Sequence, residues 1–199
     1  MTVGVLALQG DVVEHVAAMQ RAGAETIPVK TPADLERVGG LVVPGGESTT
    51  VTKLMHRFDL WEPVARRARE GMPLWGTCMG MIVVSSGVVG LAQETLGLLD
   101  VDVRRNAFGR QNDSAEVDLH IPVLGEAPFP AVFIRAPWIE RVGSDVRVLA
   151  SYRGHGVMVQ QGNVLGTSFH PELTQDDRIH AYFLAIVRAA HVGKQRSVA

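Results

Sequence analysis

The sequence predicts one α/β domain in three layers, a mostly parallel central sheet with flanking helices and an antiparallel extension contributed by the second half. Three observations carry that expectation. From residue 3 to residue 84, short apolar runs alternate with segments of helical period. Within residues 72–84 an apolar run, a tight turn and a helix start follow one another without a break, around the only cysteine of the chain. Beyond residue 98 the alternation stops, and six short strand-like runs separated by turn residues precede one closing helix.

Taken in order, residues 3–8 are an apolar run bounded by Gly10, as expected of a strand buried on both faces of a parallel sheet. Asp11 is placed to cap the helix that follows, in which Val12, Val13, Val16, Met19 and Gln20 fall near helical spacing. Gly23 stops that helix before a strand over 25–29. Pro32 and Asp34 open a short helix, and Gly39 and Gly40 lead into a strand at 41–43. Such a βαβαβ order implies right-handed crossovers and puts ligand sites in the loops at the strand carboxyl ends. The third strand runs into Pro44-Gly45-Gly46-Glu47-Ser48-Thr49-Thr50, after which Val51, Leu54, Met55 and Phe58 keep a helical period. A helix over 61–70 then returns the chain to the cysteine strand. Runs at 98–104, 115–121, 131–134, 146–152, 156–161 and 163–168 read as strands of the antiparallel extension. Ile179, Phe183, Ile186 and Val187 give one apolar face to a helix over 176–191, and residues 193–199 read as a frayed tail. With no repeat or linker, residues 1–199 read as a single domain.

A formal net charge of -2, with both signs mixed along the chain, excludes a basic footprint for nucleic acid and a polybasic membrane patch. No apolar run approaches the length that crosses a bilayer, and the first residues read as a strand rather than a signal peptide. A lone cysteine excludes an internal disulfide and any cysteine-cluster metal site; it fits a reducing, cytoplasmic setting.

The chemistry gathers at Gly76-Thr77-Cys78-Met79-Gly80. A side chain held on a sharp turn between strand and helix needs neighbours without Cβ atoms, so the flanking glycines mark a nucleophile elbow. A helix N-terminus at Cys78 favours the reactive thiolate. A thiolate needs a base, and that base needs a third group to orient it. In Ser168-Phe169-His170-Pro171-Glu172 the i, i+2 spacing puts His170 and Glu172 on one side of an extended segment that Pro171 keeps straight. His15, His56, His120, His155, His180 and His191 read as satisfied core or surface histidines. The adjacent glycines of the 44–50 loop either present N–H groups to an anion or carbonyl oxygen, or form a plain turn with Ser48 as helix N-cap. The loop lacks the lysine of a nucleotide-binding P-loop.

Together, Gly76-Thr-Cys-Met-Gly80, Pro44-Gly-Gly-Glu-Ser-Thr-Thr50 and Ser168-Phe-His-Pro-Glu-Leu173 resemble the class I glutamine amidotransferases. With Gly4-Val-Leu-Ala-Leu-Gln-Gly-Asp11, Arg105-Asn-Ala-Phe-Gly-Arg-Gln111 and Phe133-Ile-Arg-Ala-Pro137, nearly the whole chain is similar to the glutaminase subunits of pyridoxal 5′-phosphate synthases. That resemblance implies a flavodoxin-like fold and hydrolysis of L-glutamine to L-glutamate and ammonia. The ammonia passes to a partner (β/α)₈ barrel subunit that makes pyridoxal 5′-phosphate from a pentose phosphate and a triose phosphate. It also implies Cys78 as nucleophile, His170 as base and acid, and Glu172 as its orienter, with no cofactor and no metal. Glutamine is expected against Gly46, Glu47, Ser48, Arg105, Ile134 and Arg135, and the oxyanion against the backbone N–H groups of Met79 and Gly46. A zwitterionic amino acid needs a cation and acceptors, which suits Arg105 and Glu47; Arg135 is either a direct contact or one half of a buried ion pair. Gln9 and its neighbours are expected at the docking surface for the partner. Met79 departs from the pattern, which has a small residue after the cysteine. The competing readings are another amidotransferase, a free cysteine amidohydrolase, and a silent binding subunit.

Overall fold

The computed structural model describes residues 1–105 and 114–197. Residues 106–111, part of one stretch that supports the resemblance, and residues 198–199 of the expected tail lie outside the described residues. The first half follows the expected alternation: β1 (Thr2–Leu6), α1 (Val12–Arg21), β2 (Glu25–Val29), α2 (Pro32–Glu36), β3 (Gly40–Val43), α3 (Ser48–Arg57), α4 (Trp61–Arg69), β4 (Leu74–Thr77) and α5 (Met79–Val84). It continues with β5 (Ser85–Val88), β6 (Leu99–Arg104), β7 (Ser114–Leu119), β8 (Phe129–Ile134), β9 (Trp138–Val142), β10 (Arg147–Tyr152), β11 (His155–Gln161), β12 (Val164–Thr167) and α6 (Arg178–Ser197). Strands β5 and β9 were not foreseen, and α6 continues through residues where a frayed tail was expected.

The central sheet has the order β10-β11-β12-β4-β3-β1-β2. From β12 to β2 every pairing is parallel, and β11 and β10 add antiparallel strands at one edge. Alternate residues of each strand feed different cores, as the two-residue period of a strand requires. On one face Leu6, Leu41, Val43 and Leu74 pack with residues of α2 to α5. On the other, Val3, Val5, Val42 and Trp75 pack with Met19 of α1 and Ile179 and Phe183 of α6. These are the three layers. Trp61, Trp75 and Met81 are core side chains, as expected.

One placement differs from the expectation and makes the site. The run at 163–168 was read with the antiparallel extension, but β12 pairs parallel with β4, in the register Gly166↔Gly76 and Thr167↔Thr77. A short apolar run bounded by a glycine turn carries no signal of strand direction, so only packing decides it. The segments that follow Thr77 and Thr167 consequently leave the sheet at the same carboxyl edge, side by side. Two smaller sheets, β5-β6-β9 and the β7-β8 hairpin, flank the main one.

Candidate active site

Cys78 sits between β4 and α5 with φ 48° and ψ -113°. A non-glycine residue at positive φ stores roughly 1–3 kcal/mol of strain, which the surrounding structure must hold. Its N–H donates to the Thr167 carbonyl at 2.7 Å, tying the turn to β12. The glycines act as the elbow requires. A Cβ on Gly76 would come within 2.5 Å of the Gly80 carbonyl oxygen, and one on Gly80 would run into the Val43 carbonyl of β3. Cys78 is nearly buried, 2% exposed, yet it forms part of the wall of a cavity of about 400 Å³ at the strand carboxyl ends. Its Sγ lies 3.8 Å from the Ile134 carbonyl oxygen at the end of β8.

His170 and Glu172 meet, but not through the extended geometry expected of them: Pro171–Leu173 is a single 3-10 turn. His170 Nδ1 lies 2.7 Å from Glu172 Oε1. The imidazole and the cysteine meet the same piece of backbone: a Cβ on Gly45 would lie 2.7 Å from His170 Cε1 and 3.3 Å from Cys78 Cβ. Gly45 is thus the gap across which the imidazole and the cysteine face each other. Burial by itself would lower His170, but its hydrogen bonds to Asp11, Cys78 and Glu172 outweigh that and push it up to about 12. Glu172 is pushed up by burial, against the pull of the His170 bond. The two tendencies oppose one another; with two carboxylates at one ring nitrogen, the ionised pair is the assignment that the geometry favours.

Asp11 is the carboxylate that sequence reasoning misplaced. It stands at the N-cap of α1 but makes no side-chain capping bond. Its Oδ2 lies instead 3.3 Å from His170 Nδ1, and that bond lowers the Asp11 carboxyl below the usual range. Ligand atoms of Asp11, His170 and Glu172 all lie within 4.8 Å of one another, a clustering that their mutual hydrogen bonding already explains. A second, slightly larger cavity of about 480 Å³, beside Met1, Gly39 and Pro73, is lined by none of Cys78, His170 and Glu172.

With this geometry, the matches to known proteins are specific. A model of the SNO glutamine amidotransferase family matches residues 5–189. The chain belongs to that family. Its relatives include the pyridoxal 5′-phosphate synthase subunit PdxT of Moorella thermoacetica, 51% identical over 187 residues that cover 94% of this chain and 100% of the relative. The PdxT of Acidothermus cellulolyticus is 55% identical over 194 residues, covering 94% of each. A crystal structure of a glutamine amidotransferase superposes with a TM-score of 0.88 at 48% identity, covering 93% of this chain and 98% of that one.

In this SNO-family amidotransferase, five of the six residues expected at the substrate line the cavity with Cys78 and His170: Gly46, Glu47, Arg105, Ile134 and Arg135. Ser48 does not. It is fully buried, its Oγ donating to Gln93 Oε1 at 3.2 Å. The cap of α3 is Glu47, one residue earlier than Ser48: its carboxylate accepts from the N–H groups of Thr49 at 3.2 Å and Thr50 at 2.7 Å, and from both threonine hydroxyls. Burial by itself raises Glu47; the bonds from Thr49 and Thr50 together outweigh it and hold it at about 2. Arg105 reaches it at 3.1 Å, so a cation and an anion stand side by side at the cavity wall. Arg135, exposed and at φ 46°, makes no hydrogen bond or ion pair among the described residues, which removes the buried-ion-pair reading. Gln9 braces the glycine loop: its Oε1 accepts the Glu47 N–H at 2.7 Å, and the side chain fills the space where a Cβ on Gly46 would stand. Met79 lines the same cavity. Among the described residues, no helix is long and apolar enough to cross a membrane.

Proposed function

We propose that this amidotransferase hydrolyses L-glutamine to L-glutamate and ammonia through Cys78, His170 and Glu172, and hands the ammonia to the barrel subunit of a pyridoxal 5′-phosphate synthase in the cytoplasm. The observation that carries the reading is the shared approach of His170 and Cys78 to Gly45, with Glu172 at 2.7 Å behind the imidazole. The names of the PdxT relatives supply the partner.

Cys78 attacks the side-chain amide carbon of glutamine. The raised His170 favours an imidazolium beside the sulfur, ready to protonate the departing ammonia. Water, deprotonated by the same imidazole, then cleaves the thioester and frees glutamate and the thiolate. The oxyanion of both steps is met by the N–H of Met79, which opens α5 and has no helical acceptor, and by that of Gly46. Gly45 cannot serve with its own N–H, which is bonded to Thr77 Oγ1 at 3.0 Å. The α-carboxylate of glutamine is met by Arg105 and by Arg135, which has no ion pair among the described residues, and its ammonium by Glu47. Ile134 closes the apolar side, and Ser48 contributes its main chain at the start of α3.

Ammonia release from glutamine, measured for the chain alone and with the synthase subunit, tests the reading. Release that is raised by the partner and abolished by Cys78→Ala is the expected result; equal activity of the variant and the parent would overturn it.

A further inference from the structure

Glu172 has one oxygen for which the proposed reaction has no role. Oε1 takes the bond from His170, whereas Oε2 is buried and finds no well-aligned hydrogen bond among the described residues. The polar atom beside it is His15 Nε2, at 3.2 Å. A carboxylate oxygen sealed from water is costly unless a donor faces it. His15, fully buried on α1, is held in place from three sides. Its ring meets that of Trp75 edge-on, with centroids 5.6 Å apart. Nε2 also lies 3.0 Å from Thr77 Oγ1, and Nδ1 lies 3.2 Å from Nε2 of His180 on α6.

The pattern of partners selects one arrangement of protons. A neutral imidazole carries one N–H and one lone pair. With its hydrogen on Nε2, His15 offers a donor to Glu172 Oε2 and Thr77 Oγ1, and its Nδ1 accepts from His180 Nε2–H. Left over are the lone pair of His180 Nδ1, buried without a partner, and the hydroxyl hydrogen of Thr77, whose oxygen already accepts the Gly45 N–H. The reverse assignment buries an N–H of His180 with no acceptor and aims a His15 lone pair at a carboxylate. Each arrangement leaves two groups unsatisfied, but only the reverse sets a lone pair against a buried carboxylate oxygen, which is the costlier fault. The groups facing His15 are Glu172 and His170 from the turn after β12, Thr77 and Trp75 from β4, His180 from α6, and Asp11 at the head of its own helix; the Arg21–Asp177 pair stands beyond His180. Burial, reinforced by the charges of His180 and His170, holds His15 well below its usual value, and burial pushes His180 down to about 4, so both rings are neutral when the triad is ionised.

We propose that His15 is a positioning residue of the triad: held by His180, it presents Nε2–H to the buried Oε2 of Glu172 and so fixes the carboxylate with its other oxygen on His170. The proposal rests on the triad reading given above. It makes the site a line from α6 through α1 to the cysteine, His180 to His15 to Glu172 to His170, and each joint is side chain to side chain.

The test is the pH profile of glutamine hydrolysis by His15→Leu, His15→Gln and His180→Phe, each with the synthase subunit and beside the parent and Cys78→Ala. Removing a hydrogen bond to a buried charge should lower kcat of His15→Leu roughly tenfold to a hundredfold. KM should stay within about twofold, because His15 does not touch the substrate. The acidic limb should move toward neutral pH, since an unsupported Glu172 holds its proton longer. His15→Gln, whose amide can still donate, should regain part of the kcat and the parental limb. His180→Phe keeps the ring volume but not the donor, and should shift the limb the same way by less. A kcat loss equal in the Leu and Gln variants with an unmoved limb would overturn the proposal; so would a folded His180→Phe with the parental profile, even if His15→Leu does not fold. A parent that releases no ammonia, or a Cys78→Ala that matches it, would overturn instead the triad reading beneath it.

Discussion

The hydroxyl of Thr77 accepts the main-chain N–H of Gly45 at 3.0 Å, and both groups are buried. The residue before Cys78 thereby anchors the loop that carries Gly46, proposed as the second oxyanion donor, so the two halves of the site share one joint. Thr77→Val keeps the shape and removes the acceptor. Leaving the Gly45 N–H unpaired should cost about 1–3 kcal/mol. Thermal unfolding would show it as a fall of roughly 2–4 °C per kcal/mol for a chain of this size. The kcat for glutamine should fall with it, as the Gly46 N–H loses its aim.

Gly45→Ala should spare folding more than activity. Its Cβ would stand 2.7 Å from His170 Cε1, a side-chain atom that can move, and moving it parts the imidazole from Cys78. A displacement of about 1 Å is worth on the order of a hundredfold in rate. Gly80→Ala differs because its Cβ meets the Val43 carbonyl, main chain that cannot yield. That variant should lose stability first. Urea unfolding and ammonia release, measured on both, separate the two cases.

Arg105→Ala should act on KM. The guanidinium holds Glu47 at 3.1 Å and is the cation proposed for the substrate carboxylate. Loss of a charge-assisted bond should raise KM for glutamine roughly tenfold to a hundredfold with kcat little changed. Arg105→Lys should recover only part, lacking the fork that meets two partners at once. An unchanged KM in Arg105→Ala would remove Arg105 from the substrate pocket.

Asp11→Asn gives a pH signature whose sign follows from the lowered carboxyl. A carboxylate whose folded value lies below its unfolded one stabilises the fold above the unfolded value, and the gain is lost as pH falls through the folded value. The parent should therefore unfold at higher urea than Asp11→Asn from mildly acid to neutral pH, and the two curves should converge in strong acid. His170 has the opposite sign: raised above its unfolded value, it contributes fully below that value, and its contribution fades as pH climbs toward about 12. Removing Asp11 weakens the support of the imidazolium, so the alkaline limit of activity should move down in pH.

Much of the site was legible in the sequence because it is written in short spacings. The strand, turn and helix around Cys78, the His170-Pro171-Glu172 run and the glycines of the 44–50 loop are all decided within a few residues, where covalent geometry and the need for missing Cβ atoms leave few alternatives. Even there, the sequence misjudged which residue caps α3. Ser48 was the stronger candidate by type, but Glu47 reaches both threonine N–H groups and the serine turns inward to Gln93.

What the sequence by itself determined is the alternating first half, the elbow and which three side chains are proposed to react. What only the tertiary structure decided is which distant groups stand behind them. Strand β12 lies parallel to β4, so Thr167 faces Thr77 and His170 emerges beside Cys78. Asp11 turns from its helix cap to the imidazole, and His15 is joined to His180 across 165 positions of chain. Such contacts have no spacing to announce them. They arise because two helices must cover the same apolar face of one sheet, and the polar side chains caught in that interface satisfy one another for want of water.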